Sequence, residues 1–223
     1  MGLAIRLTPL VRALVVANGA VFLLQLLADR FFPFTQWFGL VPALVARGAV
    51  WQLGTYMFLH GGLLHLLFNL WALAVFGADV EQRLGTAAFA RFYAFCGVGA
   101  GACALLLAWG SASVVVGASG AIFGVLLAFA LFYPRRPVTL LLFFVLPLTL
   151  EARVLVAVLG ALNVLMLAQA GGKGLGQLAH LGGLLFAWLW LRGPDFVAGF
   201  RTASRRRRAE RRLKVYDAVS DER

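Results

Sequence analysis

The chain has 223 residues, of which 62% are hydrophobic and only 13% charged, and its mean hydropathy is +0.89. Soluble domains carry about twice that share of charge, so a soluble enzyme or binding module is excluded and a polytopic membrane protein is indicated. The formal net charge of +11 is concentrated in the C-terminal stretch RTASRRRRAERRLKVYDAVSDER, which beside a membrane helix denotes a cytoplasmic flank near anionic lipid headgroups rather than a nucleic-acid-binding arm.

A spanning helix needs about 20 predominantly apolar residues. Six stretches meet or approach this, at about 9–28, 55–77, 87–109, 117–133, 152–170 and 177–192. The first is too long for the apolar region of a signal peptide and has no small-x-small cleavage site before Asp29, so a retained span is expected. The second contains FLHGGLLHLLFNLWAL, with His60, His65 and Asn69. The four-residue step from His65 to Asn69 stacks them on one helical face. The third holds Cys96 and Cys103 inside an apolar run, with neither metal-ligand spacing nor a disulfide framework, so both read as small core residues.

The fourth span opens in VVVGASGAIFGVLLAF, where Ser119 stands between Gly117 and Gly120. Next comes VTLLLFFVLPLTL, 138–150, which is apolar but short and interrupted by Pro147. An interfacial or re-entrant piece is expected there. The sixth span carries His180 in GLGQLAHLGGLLFAW. The predicted organisation is a six-span domain over residues 1–195 and a basic tail over 196–223.

With six spans, Arg6, Arg12, Arg83, Arg91, Arg135, Arg136, Arg153 and the tail fall on one side, and Arg30, Arg47 and Lys173 on the other. The positive-inside rule therefore puts both termini in the cytoplasm. Spans two, four and six then enter in parallel from the outer face. Ser119 lies fourteen residues before Tyr133, or about 21 Å at the helical rise, which leaves it about 9 Å below the outer surface of a core about 30 Å thick. His180 and His65 reach similar depths on their own helices.

Polar groups at membrane depth are costly and are functional candidates by default. Singly, each has an ordinary explanation: Ser119 as packing beside Gly120-xxx-Gly124, the histidines bonded to carbonyls, Asn69 as a helix–helix bond. At matched depth on three parallel helices they point to one site. A serine becomes a nucleophile beside a neutral imidazole, and His180 is the candidate base. The acids at Asp29, Asp79, Glu81 and Glu151 lie outside the outer halves of the spans, so a Ser–His dyad is expected. The oxyanion donors would be the Ser119 backbone N–H at a helix N-terminus, the Asn69 amide and an N–H of His65. Gly117 and Gly120 lack β-carbons, so a substrate backbone and the facing helix can approach. Ala179 and Gly183 offer the matching small surface on span six.

This ordered set resembles the rhomboid intramembrane serine proteases, of the bacterial six-span type, over nearly the whole chain. GASG at Gly117–Gly120 is similar to that family's nucleophile motif, and AHLGG at Ala179–Gly183 to the motif carrying its catalytic histidine. HGGLLHLLFN is similar to its second-helix motif, with His65 and Asn69 as oxyanion residues and His60 as the upstream histidine; GADVEQRLG, with Gly77, Glu81, Arg83 and Gly85, resembles its structural turn.

The resemblance implies an all-α membrane protein, a six-transmembrane-helix bundle with an outer-face loop between helices 1 and 2. It implies a multi-pass protein of the cell membrane whose site opens to the outer face. Its substrates would be transmembrane proteins cut in or near their spans, without metal or cofactor. A lateral route past span five and a mobile cap at AGGKGLG are implied as well.

Two residues depart from the family pattern: Gln52 follows Trp51 where arginine is frequent, and Phe123 stands where tyrosine is frequent. The alternative is a non-catalytic rhomboid-like protein that binds client helices, whose usual sign is loss of the serine or histidine. A transporter would spread ionisable groups through several depths, and the inner halves of these spans are nearly devoid of them.

Overall fold

A computed structural model describes residues 7–142 and 146–193. Two compact units divide the chain, residues 1–187 and residues 188–223. In the second only 188–193 are described, and they are helical. The basic tail expected at 196–223 lies outside the described residues.

In the first unit, helix α1 (Pro9–Ala28) begins with a proline at its first position, where a missing N–H is no loss. Three short helices follow, α2 (Phe34–Phe38), α3 (Pro42–Val45) and α4 (Gln52–Thr55), and then a 3₁₀ turn, Tyr56–Phe58. Pro33 stands before α2 and Pro42 opens α3, and each interrupts the helical ladder. Next come α5 (Leu63–Ala72), a π-helical turn Leu73–Gly77 and α6 (Ala78–Leu84), which together form one apolar stretch. The remaining elements are α7 (Thr86–Leu107), α8 (Ser119–Phe132), strands β1 (Pro137–Leu142) and β2 (Leu146–Glu151), and α9 (Ala152–Gln169). The last helix, α10, covers 175–187 of this unit.

Among the described residues, Pro9–Ala28, Leu63–Leu84, Thr86–Leu107 and Ala152–Gln169 are long and apolar enough to cross a membrane, and α8 is apolar but shorter.

The second span differs from expectation: it runs over Leu63–Leu84 rather than 55–77. At its start, Gln25 of α1 takes both backbone groups of His60. The His60 N–H donates to Gln25 Oε1 at 3.0 Å, and Gln25 Nε2 donates to the His60 carbonyl at 3.0 Å. Those groups are thereby withdrawn from any helical ladder. At its other end the helix tolerates charge because each charge has partners. The buried Glu81 carboxylate accepts the backbone N–H groups of Leu10 (3.1 Å) and Val11 (3.0 Å) and the hydroxyls of Thr8 and Thr86. It caps the orphan donors at the start of α1, which Thr8 leaves uncapped. Asp79 pairs with Arg136 at 2.7 Å, and the Arg136 guanidinium lies 5.5 Å from the ring centroids of Phe129 and Tyr133.

Of the stretch 138–150, the described residues 138–142 and 146–150 pair as antiparallel strands in which Thr139 lies opposite Thr149, their hydroxyls 2.8 Å apart. With only two strands both are edges, so Pro147 needs no ladder partner for a missing N–H.

The loop between α1 and α5 is tied down by polar groups. Buried Gln52 accepts the Val41 N–H through Oε1 at 2.9 Å, and its Nε2 donates to the carbonyls of Gln36 (3.0 Å) and Trp37 (3.1 Å). Trp51 donates to the same Trp37 carbonyl at 2.9 Å, and the two indoles stack. Leu40 and Val115 exchange both backbone bonds, 2.9 and 2.8 Å, which anchors this loop to the segment leading into α8.

Candidate active site

Three constraints set the entry to α8. Val115 is bridged to Leu40, the Gly117 N–H donates to the Tyr56 carbonyl at 2.9 Å, and the Tyr56 hydroxyl donates to the Gly97 carbonyl at 2.8 Å. Gly117 has φ 127°, a conformation side chains disfavour, and it turns the chain so that α8 starts at Ser119. The serine is therefore the first residue of the helix, where backbone N–H groups have no intrahelical acceptor.

Ser119 Oγ lies 2.7 Å from Nε2 of His180 on α10. The imidazole lies flat against Phe123, one turn beyond the serine, with centroids 4.3 Å apart and planes 10° from parallel. Its other nitrogen, Nδ1, is 2.8 Å from Oδ1 of Asn163 on α9. Asn163 Nδ2 donates to the Leu159 carbonyl at 2.8 Å, so Oδ1 is the atom turned to the ring. The network thus assigns the proton to Nδ1 and the lone pair to Nε2, facing the serine hydroxyl.

His65 sits across Gly117 from this pair. Its Nδ1 accepts the Gly61 N–H at 3.3 Å, which leaves a proton on Nε2. A β-carbon on Gly117 would lie 2.8 Å from that Nε2 and 3.6 Å from Ser119 Oγ, so the glycine keeps open the space between the two. Asn69 is buried on α5, and its Nδ2 has no acceptor among the described residues. An amide donor left free at a buried position is suited to an oxygen that arrives with a ligand.

The other two predicted residues stand further back. His60 is 1% exposed, and its ring meets those of His65 and Phe22 at 5.2 and 6.5 Å. Neither of its nitrogens is bonded among the described residues. Gly120 faces neighbouring helices: a β-carbon there would lie 2.6 Å from the Ala100 methyl and 3.4 Å from the Ala179 carbonyl. Its bareness serves helix approach. Sequence reasoning passed over Asn163, although an amide in an otherwise apolar span carries the same signal as Asn69. It also missed the roles of Gln25 and Gln52, which depend on contacts distant in sequence.

A family model described as Rhomboid domain matches residues 47–193, about two thirds of the chain. "Rhomboid-like protease 1" of Toxoplasma gondii is 31% identical over 153 residues, covering 65% of this chain and 47% of that protein. "RHOMBOID-like protein 5" of Arabidopsis thaliana is 39% identical over 83 residues, 37% of this chain and 27% of the relative. "Rhomboid protease GluP" of Bacillus subtilis (strain 168) is 41% identical over 84 residues, 38% and 16%. The matched stretches span less than half the length of each of these relatives.

Proposed function

Because this chain belongs to the rhomboid family, a family of multi-pass intramembrane proteases, we propose that it is a serine endopeptidase cutting peptide bonds in or near transmembrane segments of membrane proteins. The observation that carries this reading is the 2.7 Å approach of His180 Nε2 to Ser119 Oγ, with Nδ1 engaged on its far side. As Oγ attacks the scissile carbonyl carbon, Nε2 takes the hydroxyl proton. The developing oxyanion accepts from the Ser119 backbone N–H, from Asn69 Nδ2 and from His65 Nε2. Removing one such donor lowers turnover by about 10²–10³. His180 then returns the proton to the leaving amine, and the acyl group on Ser119 is released by water activated at the same nitrogen.

No reactive group is missing for this sequence of steps, which weighs against a client-binding protein without activity. Phe123 holds the ring by its face without a hydroxyl. The distribution of Lys and Arg supports cytoplasmic termini and a site opening to the outer face. The basic tail would then lie against anionic headgroups of the inner leaflet.

The deciding experiment labels detergent-purified protein with a fluorophosphonate probe. Wild type is expected to react, and Ser119→Ala and His180→Ala to lose labelling. Equal labelling of all three would refute the assignment.

A further inference from the structure

Helix α9 is attached sparsely. Its buried residues are Ala152, Leu155, Val156 and Asn163, the first three within its opening turn and a half. Beyond Val156 the one buried side chain on this helix is an amide. Asn163 Nδ2 is occupied within the helix by the Leu159 carbonyl, and Oδ1 is given to His180 Nδ1. An amide in an apolar helix can bond back to its own backbone or turn toward a polar neighbour. This one does both, and the neighbour is the imidazole that faces Ser119.

We propose that Asn163 is the positioning residue for His180, so that the hydrolytic site is a Ser–His pair oriented by an asparagine, on three helices, with α9 supplying the orienting member. The proposal rests on the reading of Ser119 and His180 as the reacting pair. Three physical effects support it.

First, a neutral imidazole acts as base through Nε2 only when its proton is on Nδ1. An acceptor fixed at 2.8 Å from Nδ1 selects that tautomer. Second, stacking on Phe123 fixes the plane of the ring but allows it to slide and turn within that plane. Bonds at both nitrogens remove that freedom. Third, when the serine proton arrives the ring becomes a cation, and the bond to Oδ1 becomes charge-assisted and stronger. A neutral amide gives this help without placing a second full charge in an apolar site.

The test compares wild type with Asn163→Ala, Asn163→Leu and Asn163→Asp, each as the full chain purified in detergent. Turnover of a model transmembrane substrate is measured, and the His180 tautomer is read by ¹⁵N NMR of histidine-labelled protein, its signals assigned by difference from His180→Ala. Only three histidines are present, so the spectra are simple.

In wild type, Nδ1 is expected to carry the proton. In Asn163→Ala and Asn163→Leu the signal should become a mixture of tautomers, and kcat should fall about 10- to 100-fold, the range for removing one buried hydrogen-bond partner. KM should stay nearly constant, because the bond acts on the base and not on the substrate. Asn163→Asp, isosteric and held as the neutral acid by its apolar surroundings, can donate its O–H to the Leu159 carbonyl and still accept from His180 Nδ1, and should recover most of kcat.

A wild-type His180 protonated on Nε2, or an Asn163→Leu enzyme with unchanged kcat and tautomer, would overturn the proposal. So would an Asn163→Asp enzyme no better than Asn163→Ala. If wild type failed to react with fluorophosphonate, the hydrolytic reading would fall, and the tautomer comparison would still decide whether Asn163 orients the ring.

Discussion

Gly183 of α10 and Gly120 of α8 meet backbone to backbone: a β-carbon on Gly183 would lie 1.9 Å from the Gly120 carbonyl oxygen. The obstruction is main chain, so no rotamer change relieves it. Gly183→Ala is therefore expected to push α10 away from α8 and carry His180 with it. Displacement of a reacting group by about 1 Å lowers rates by about 10², and overpacking of this kind costs about 1–3 kcal/mol. Cleavage of a model transmembrane substrate and the thermal unfolding midpoint in detergent check both.

Asn69→Ala removes a donor that has no partner among the described residues. Little stability is lost, and kcat should fall about 10²–10³ with KM nearly unchanged. Cys96→Ala, on the buried face of α7, is the control and should retain activity. A steady-state comparison of the two variants separates an oxyanion role from a packing role.

Gln52→Arg restores the residue frequent in the family, yet it is expected to weaken this protein. Gln52 accepts from the Val41 N–H as well as donating to two carbonyls, and a guanidinium can only donate. The buried Val41 N–H would lose its acceptor, at a cost of about 1–3 kcal/mol. Thermal unfolding of the purified variant is the check, and a raised midpoint would contradict this account.

Glu81→Ala removes the acceptor for two backbone N–H groups and two hydroxyls that join α1, α6 and α7. Each buried donor left without its acceptor costs about 1–3 kcal/mol. Glu81→Gln keeps acceptor oxygen and should lose less. The expected order of unfolding midpoints is wild type, Gln, Ala.

The transmembrane segments were legible because transfer into lipid is priced residue by residue, along the chain. Pro9 fixed the start of α1 for a similarly local reason. Where local preference met a distant partner, the reading moved. Residues 55–62 are apolar enough to extend the second span, but Gln25 claims the backbone of His60 from 35 positions away. The stretch 138–150 has the hydropathy of a membrane-associated piece, and pairing of 138–142 with 146–150 makes those residues antiparallel strands. Gly120 and Gly117 look alike beside Ser119, yet one faces neighbouring helices and the other the gap between His65 and the hydroxyl.

The sequence by itself determined that a hydroxyl, three imidazoles and amides sit in or beside apolar helices, because such groups are too costly in lipid to be incidental. Only the tertiary structure decided which atoms meet. Ser119 reaches His180 across 61 residues, and His180 reaches Asn163 across 17. Those bonds depend on how closely glycine-faced helices pack, which no count along the chain records.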